Sequence, residues 1–301
     1  MKNDQASFSV QLRSAILSKR SAVCVGLDPR WSSLPSNIRG EIEHQNRRAV
    51  AQATAKFCCE VVDAVEAFTP IIKPQAAFFE QLGPEGMQAL ASVIQHCRKR
   101  SVLVLLDGKR GDIGSTAEAY ADAYLGVESA WGCDALTINP FLGEDTLEPF
   151  LRVANDRSAG LFVLVKTSNP GSGFLQDKQI DGEFIYESLA DLVQSFAKPT
   201  IKQGYGSVGA VVGATYPEQL SSLRKRMPNA WILIPGYGAQ GGTAADVAYG
   251  FDEEGLGAIV NSSRGIIFAY QSSEYAGRDW QHAVAEAARD TARQIWEATG
   301  P

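Results

Sequence analysis

The chain has 301 residues, 45% hydrophobic and 21% charged, a mixture too apolar for a disordered polymer. No apolar run approaches the roughly 18–20 residues of a membrane helix, and the longest, such as 102–106, have the length of a strand. A net charge of −6 argues against a dedicated nucleic-acid binder, because a phosphate backbone asks for a basic face, yet it leaves room for a small phosphorylated ligand held by one or two local cations.

Residues 1–20 are mixed and polar, without the apolar centre of a signal peptide, and read as an N-terminal helical extension of a cytoplasmic protein. Eight short aliphatic runs follow: 22–28 (AVCVGLD), 70–73 (PIIK), 102–107 (VLVLLD), 134–139 (DALTIN), 160–166 (GLFVLVK), 210–214 (AVVGA), 231–235 (WILIP) and 257–261 (GAIVN). They are apolar throughout rather than alternating, as strands covered on both faces must be. On average they begin about 34 residues apart, close to a one-eighth share of a roughly 250-residue barrel.

Helix-like segments fill the intervals, at 47–68, 84–98, 115–125, 145–153, 183–196, 218–226 and 279–298, with Pro84 at a helix start and Thr116 in a first turn. The alternation implies an α/β fold, a TIM (β/α)8 barrel forming a single domain over 1–301, with an open doubly wound sheet as the alternative. The segment 169–202 is longer than a minimal unit, carries Gly171, Ser172 and Gly173, and reads as a long loop over the strand ends.

Cys24, Cys58, Cys59, Cys97 and Cys133 are odd in number and lack CxxC spacing, so they read as small core residues rather than a disulfide framework or zinc knuckle. His44, His96 and His282 show no ligand pairing, which leaves no case for a His-based metal site or a Ser/His/Asp triad.

Barrel enzymes carry their chemistry where the strands end. Here the first run ends in Asp28, the second in Lys73, and the third in Asp107-Gly-Lys109-Arg-Gly-Asp112. Residues two apart on an extended strand share a face, so Asp107 and Lys109 are expected to project together, with Asp112 at the loop beyond. With Lys73 they give alternating charges, a network that keeps lysines charged where burial alone would discharge them. A fixed ammonium can protonate a carbanion as it forms, and a fixed carboxylate can repel an anionic group about to leave.

The loops after the last two runs suggest phosphate binding. One is Pro235-Gly-Tyr-Gly-Ala-Gln-Gly-Gly and the other Asn-Ser-Ser-Arg264-Gly, so backbone N–H groups, the Gln240 amide and the Arg264 guanidinium are candidates. The string 236–241 also matches GxGxxG, as does 204–209. Neither is followed by a strand ending in an acid, so dinucleotide binding is not indicated.

Taken together, LLDGKRGDIGST (105–116), PIIKPQAAFFE upstream, and PGYGAQGG and SSRG downstream resemble the orotidine 5′-phosphate decarboxylase family in its longer bacterial form (type 2). The resemblance spans 28–264 in order. It implies a TIM-barrel homodimer that converts orotidine 5′-monophosphate to UMP and carbon dioxide in pyrimidine biosynthesis, without a cofactor or metal. It implies a charged tetrad of Lys73, Asp107, Lys109 and Asp112, with Asp107 against the substrate carboxylate and Lys109 protonating C6. Asp112 and Thr116 would reach into the neighbouring subunit's site. Asp28 would meet the ribose together with Lys73, Ser168 the pyrimidine edge, and Gln240 and Arg264 the phosphate, with Pro235 beside them. Related barrels use a similar D-x-K-x-x-D with magnesium on sugar phosphates but place Glu where this chain has Lys73. A nucleotide sensor on a decayed barrel would be expected to have lost a tetrad member.

Overall fold

The computed structural model describes residues 6–238 and 241–300. Eight parallel strands close into a barrel: β1 (Val23–Leu27), β2 (Ile71–Pro74), β3 (Leu103–Arg110), β4 (Ala135–Ile138), β5 (Gly160–Lys166), β6 (Val208–Val212), β7 (Ile232–Ile234) and β8 (Ala258–Ser262). Each pairs with its neighbours in sequence, and β1 pairs with β8, so the sheet has no free edge and the open-sheet alternative is excluded.

The strands are apolar on both faces because both faces are covered. Cys24, Ile71, Leu103, Leu105, Ala135, Phe162, Leu233 and Ile259 pack together inside the barrel. Their sequence neighbours, among them Val25, Ile72, Val104, Leu106, Leu136 and Val163, pack in the outer core with the helices. The principal helices are α1 (Phe8–Lys19), α2 (Arg47–Val65), α3 (Pro84–Lys99), α4 (Gly114–Leu125), α5 (Glu148–Arg157), α6 (Ile185–Ala197), α7 (Pro217–Arg226), α8 (Ala244–Ala248) and α9 (Trp280–Thr299).

The N-terminal helix expected within 1–20 has a structural job that the sequence pattern did not reveal. Phe8, Leu12 and Ile16 of α1 join the inner cluster, and Trp231 Nε1 donates to Ser9 Oγ at 2.9 Å. The helix thus seals the end of the barrel where the strands begin. A Cβ at Gly160 would lie 2.3 Å from the Phe8 ring, so the strand must be bare where that ring sits.

Two expectations need correction. The third strand does not stop at 107 but runs to Arg110. The segment 169–202 is only partly loop: it holds a 3-10 turn (Pro170–Phe174), a hairpin pairing Gln179–Ile180 with Glu183–Phe184, helix α6 and a further turn. The helix expected at 183–196 forms as α6, and the Gly-Ser stretch 171–173 lies apart from it in the 3-10 turn.

Leu12 is fully buried. Leu12→Ala is expected to cost about 2–5 kcal/mol, read as a lower urea midpoint with an unchanged slope. A cost below about 1 kcal/mol would show that the barrel floor does not depend on α1.

Candidate active site

On β2, β3 and β4 the inward column turns polar one step above the inner core. Two residues beyond Ile71 stands Lys73, beyond Leu105 stands Asp107, and beyond Ala135 stands Thr137. All three enter the same cleft, of about 750 Å³, at the carboxyl ends of the strands. Lys109, Asn139, Phe141, Leu164, Ser168 and Pro235 line it as well.

Asp107 is the centre. Its Oδ2 accepts from Lys73 Nζ at 2.6 Å and from Gln75 Nε2 at 3.0 Å. Its Oδ1 accepts from Lys109 Nζ at 2.5 Å and from the Thr137 hydroxyl at 3.1 Å. Lys73 and Asp107 are buried, whereas the Lys109 side chain is 46% exposed and faces the opening. Four donors on one carboxylate fix its orientation, and charged partners make those bonds short.

Asp107 and Lys109 meet, but not by the period of an extended strand. The β3–β4 register slips between Leu106 and Arg110, and Lys109 takes a left-handed φ of 47°. The Lys109 N–H donates to Thr137 Oγ1 at 2.9 Å, which holds the kink. A non-glycine residue in this region costs energy and is held by its surroundings, a pattern typical of functional sites.

Burial alone would lower the pKa of the Lys73 ammonium, and the Asp107 and Asp28 carboxylates beside it outweigh that and raise it. Burial pulls the Asp107 carboxyl upward, and Lys73 and then Lys109 overcome it and hold it well below the usual carboxylate range. The depressed carboxyl contributes stability that is present above an unfolded pKa of about 4 and lost as pH falls through the folded value. The raised lysine contributes stability that is present below about 10.4 and lost as pH climbs past its folded value. Both groups therefore keep their charges from about pH 4 to 10. Cys24, near both, is no nucleophile: burial pushes its thiol up to about 12.

Of the tetrad, this chain gathers three members. Asp112 does not line the cleft; its carboxylate accepts the Ile113 N–H at 2.8 Å in the loop before α4. Thr116 is exposed in the first turn of that helix. Asp28 follows β1, and its Oδ1 is buried without a hydrogen-bond partner among the described residues. Ser168 stands where β5 runs out, pressed against Gly213, at which a Cβ would lie 2.8 Å from that of Ser168. Arg264 is exposed and opens the helical turn after β8, outside the lining of the cleft. Gln240 lies outside the described residues.

The sequence pattern missed Gln75, Thr137 and Lys166. The first two were visible in principle as inward positions at the strand ends, two residues past Lys73 and Ala135. Lys166 was read only as the end of a strand. Among the described residues no group of three His, Cys, Asp or Glu side chains is placed to hold a metal ion, and the central carboxylate is already occupied by two ammonium groups.

Asp107→Asn leaves the Lys73 ammonium buried without its closest counter-charge, so a loss of about 3–5 kcal/mol at pH 6 is expected. The lysine's folded pKa then falls below its unfolded value, so the penalty shrinks as pH rises toward about 10. Urea unfolding of parent and variant at pH 6 and pH 9.5 measures this, and an equal loss at both would contradict the charge assignment.

Comparison with known proteins identifies the family. Residues 21–278 match the profile of the orotidine 5′-phosphate decarboxylase / HUMPS family. The orotidine 5′-phosphate decarboxylase of Rhodopirellula baltica is 54% identical over 290 residues, covering 93% of this chain and 96% of that protein. That of Deinococcus radiodurans is 42% identical over 265 residues, covering 87% and 90%. The structure of Leishmania donovani OMP decarboxylase superposes with a TM-score of 0.77 at 32% identity, covering 98% of this chain and 99% of that one. A closed barrel whose mouth carries the Lys73–Asp107–Lys109 array, with a matched profile across most of its length, makes this chain a member of the orotidine 5′-phosphate decarboxylase family.

Proposed function

We propose that the chain converts orotidine 5′-monophosphate to UMP and carbon dioxide without a cofactor, and that the Lys73–Asp107–Lys109 array carries the chemistry. The single observation that supports this most is the Lys109 ammonium, half exposed in the cleft yet bonded to a buried carboxylate at 2.5 Å.

Loss of carbon dioxide from C6 of the pyrimidine leaves an electron pair in an orbital that the ring cannot conjugate. The barrier must then fall mainly through preorganised charge, which is strongest where water is excluded. The substrate carboxylate lies against Asp107, the C6–carboxylate bond breaks, and the pair stays on C6. Lys109 delivers its proton there and is reprotonated from solvent. Lys73 keeps Asp107 ionised and oriented throughout and, with Asp28, holds the ribose. Repulsion from Asp107 on the departing carboxylate is a secondary contribution.

Ser168 meets the pyrimidine edge. Pro235, Gln240 and Arg264 form the phosphate end, where binding energy remote from C6 holds the ring in its reactive pose. The working unit in this reading is a cytoplasmic homodimer of single-domain subunits, with a small-molecule substrate and neither nucleic acid nor membrane as partner. Ile113 (63% exposed), Phe141 (72%) and Leu142 (50%) support the dimer, since they leave apolar surface on the loops after β3 and β4. A second copy covering that surface would bring its Asp112 and Thr116 to the cleft. The five free cysteines accord with a reducing compartment.

Lys109→Ala is expected to lower kcat/KM for orotidine 5′-monophosphate by at least about a thousandfold, while calorimetry finds UMP affinity within about tenfold of the parent. Activity within an order of magnitude of the parent would remove Lys109 from the chemistry. Arg264→Ala is expected to raise KM about tenfold or more through loss of a bidentate phosphate contact. Unchanged KM and kcat/KM would place the phosphate elsewhere.

A further inference from the structure

Lys166, the last residue of β5, is almost fully buried, at 1% exposure. Its Nζ donates to Asp177 Oδ1 at 2.6 Å and to Ser172 Oγ at 3.3 Å. It also lies 5.7 Å from the centre of the Tyr186 ring and 5.4 Å from that of Tyr216. The β5–β6 register slips between Leu164 and Lys166, so strand alternation breaks there. Leu164 and Val165 line the cleft, whereas Lys166 sits beneath the loop that follows.

That loop is a wall of the cleft. Thr167, Ser168, Asn169, Leu175 and Gln176 all line it. Lys166 ties the loop at two points, Ser172 in the 3-10 turn and Asp177 before the hairpin. A second tie crosses the loop's neck: the Thr167 N–H donates to Gln176 Oε1 at 2.9 Å, and Gln176 Nε2 donates to Thr167 Oγ1 at 2.9 Å. The Tyr186 N–H donates to the Gln176 carbonyl at 3.2 Å, which joins the loop to α6.

We propose that Lys166 is a positioning residue whose ammonium sets the 167–177 loop as the wall against which the pyrimidine lies. The inference rests on the pyrimidine nucleotide reading of the cleft and extends it to a residue outside the charged array. Lys166 gives up its hydration for a partner that is itself 37% exposed, a pairing that stabilises poorly compared with an apolar side chain at the same place, so stability alone does not account for the lysine here. Directional bonds from one fixed ammonium do account for a loop whose regular structure is a single turn and a two-residue hairpin. Asp107 is bonded to Lys73, Gln75, Lys109 and Thr137, and among the described residues no hydrogen bond joins this array to Lys166, so loosening the loop leaves those bonds in place. Substrate affinity should therefore suffer more than turnover.

The test compares Lys166→Met, the double variant Lys166→Met/Asp177→Leu, and Asp177→Asn, which keeps a polar partner for the lysine. Lys166→Met leaves Asp177 unpaired and is expected to lower Tm, and the double variant to regain most of that loss. In both, KM for orotidine 5′-monophosphate should rise about tenfold or more with kcat within about threefold of the parent. Asp177→Asn should lie between parent and Lys166→Met in KM. A double variant with restored Tm and the parent's KM would reduce the ion pair to a stability feature and overturn the proposal. Hydrogen exchange at the amides of Thr167 and Tyr186 gives a readout free of any substrate. Faster exchange in the double variant supports the tether, and unchanged exchange contradicts it. If the parent itself does not decarboxylate the nucleotide, the functional reading fails while the exchange result still decides the role of Lys166 in the loop.

Discussion

One carboxylate between two ammonium groups at the mouth of a closed barrel is the interaction on which the rest of the molecule depends. Lys73 and Lys109 oppose the burial that would raise the Asp107 carboxyl, and Asp107 and Asp28 oppose the burial that would lower the Lys73 ammonium. The barrel supplies what this arrangement needs. Its hydrogen-bonded strands place inward residues in register, and Cys24, Ile71, Leu105, Ala135 and Phe162 pack together below the charges. The array is thus held by the protein's own hydrogen bonds, the condition under which fixed charge lowers a barrier rather than merely binding.

The fold was legible because its signals were redundant. Eight apolar runs at a regular interval, with amphipathic segments between them, have few solutions other than a closed parallel sheet. The strand ends were legible for a related reason: Lys73 and Asp107 break apolar runs where a buried charge demands a partner. What escaped was whatever depends on tertiary context. The φ of Lys109 is set by Thr137 on the next strand, and no local pattern announces it. The burial of α1 against the barrel floor follows from Phe8 meeting the bare backbone of Gly160, two residues far apart in the chain. Lys166 looked like a strand terminus because its partners, Ser172 and Asp177, sit in a segment whose Gly and Ser content suggested only a loop.

The division of labour in the cleft follows from chemistry. A carbanion without a conjugated sink calls for a proton donor at the reacting carbon, and Lys109 is the one charged group of the array left open to the cleft. Everything else is geometry. Gln75 and Thr137 hold Asp107; in the proposed reaction the loop after β5 would bound the base, and a phosphate held away from C6 would supply binding energy for positioning. Asp112 and Thr116 lie outside the lining of the cleft within one chain, and only the proposed dimer would bring them to it.

The most direct measurement is the fall in ultraviolet absorbance when the purified chain meets orotidine 5′-monophosphate in buffer containing a chelator and no added cofactor. Stoichiometric, catalytic conversion to UMP with release of carbon dioxide is the expected result. Conversion that requires an added divalent cation, or none with folded protein that still binds UMP, would contradict the view that this array of fixed charges performs the reaction.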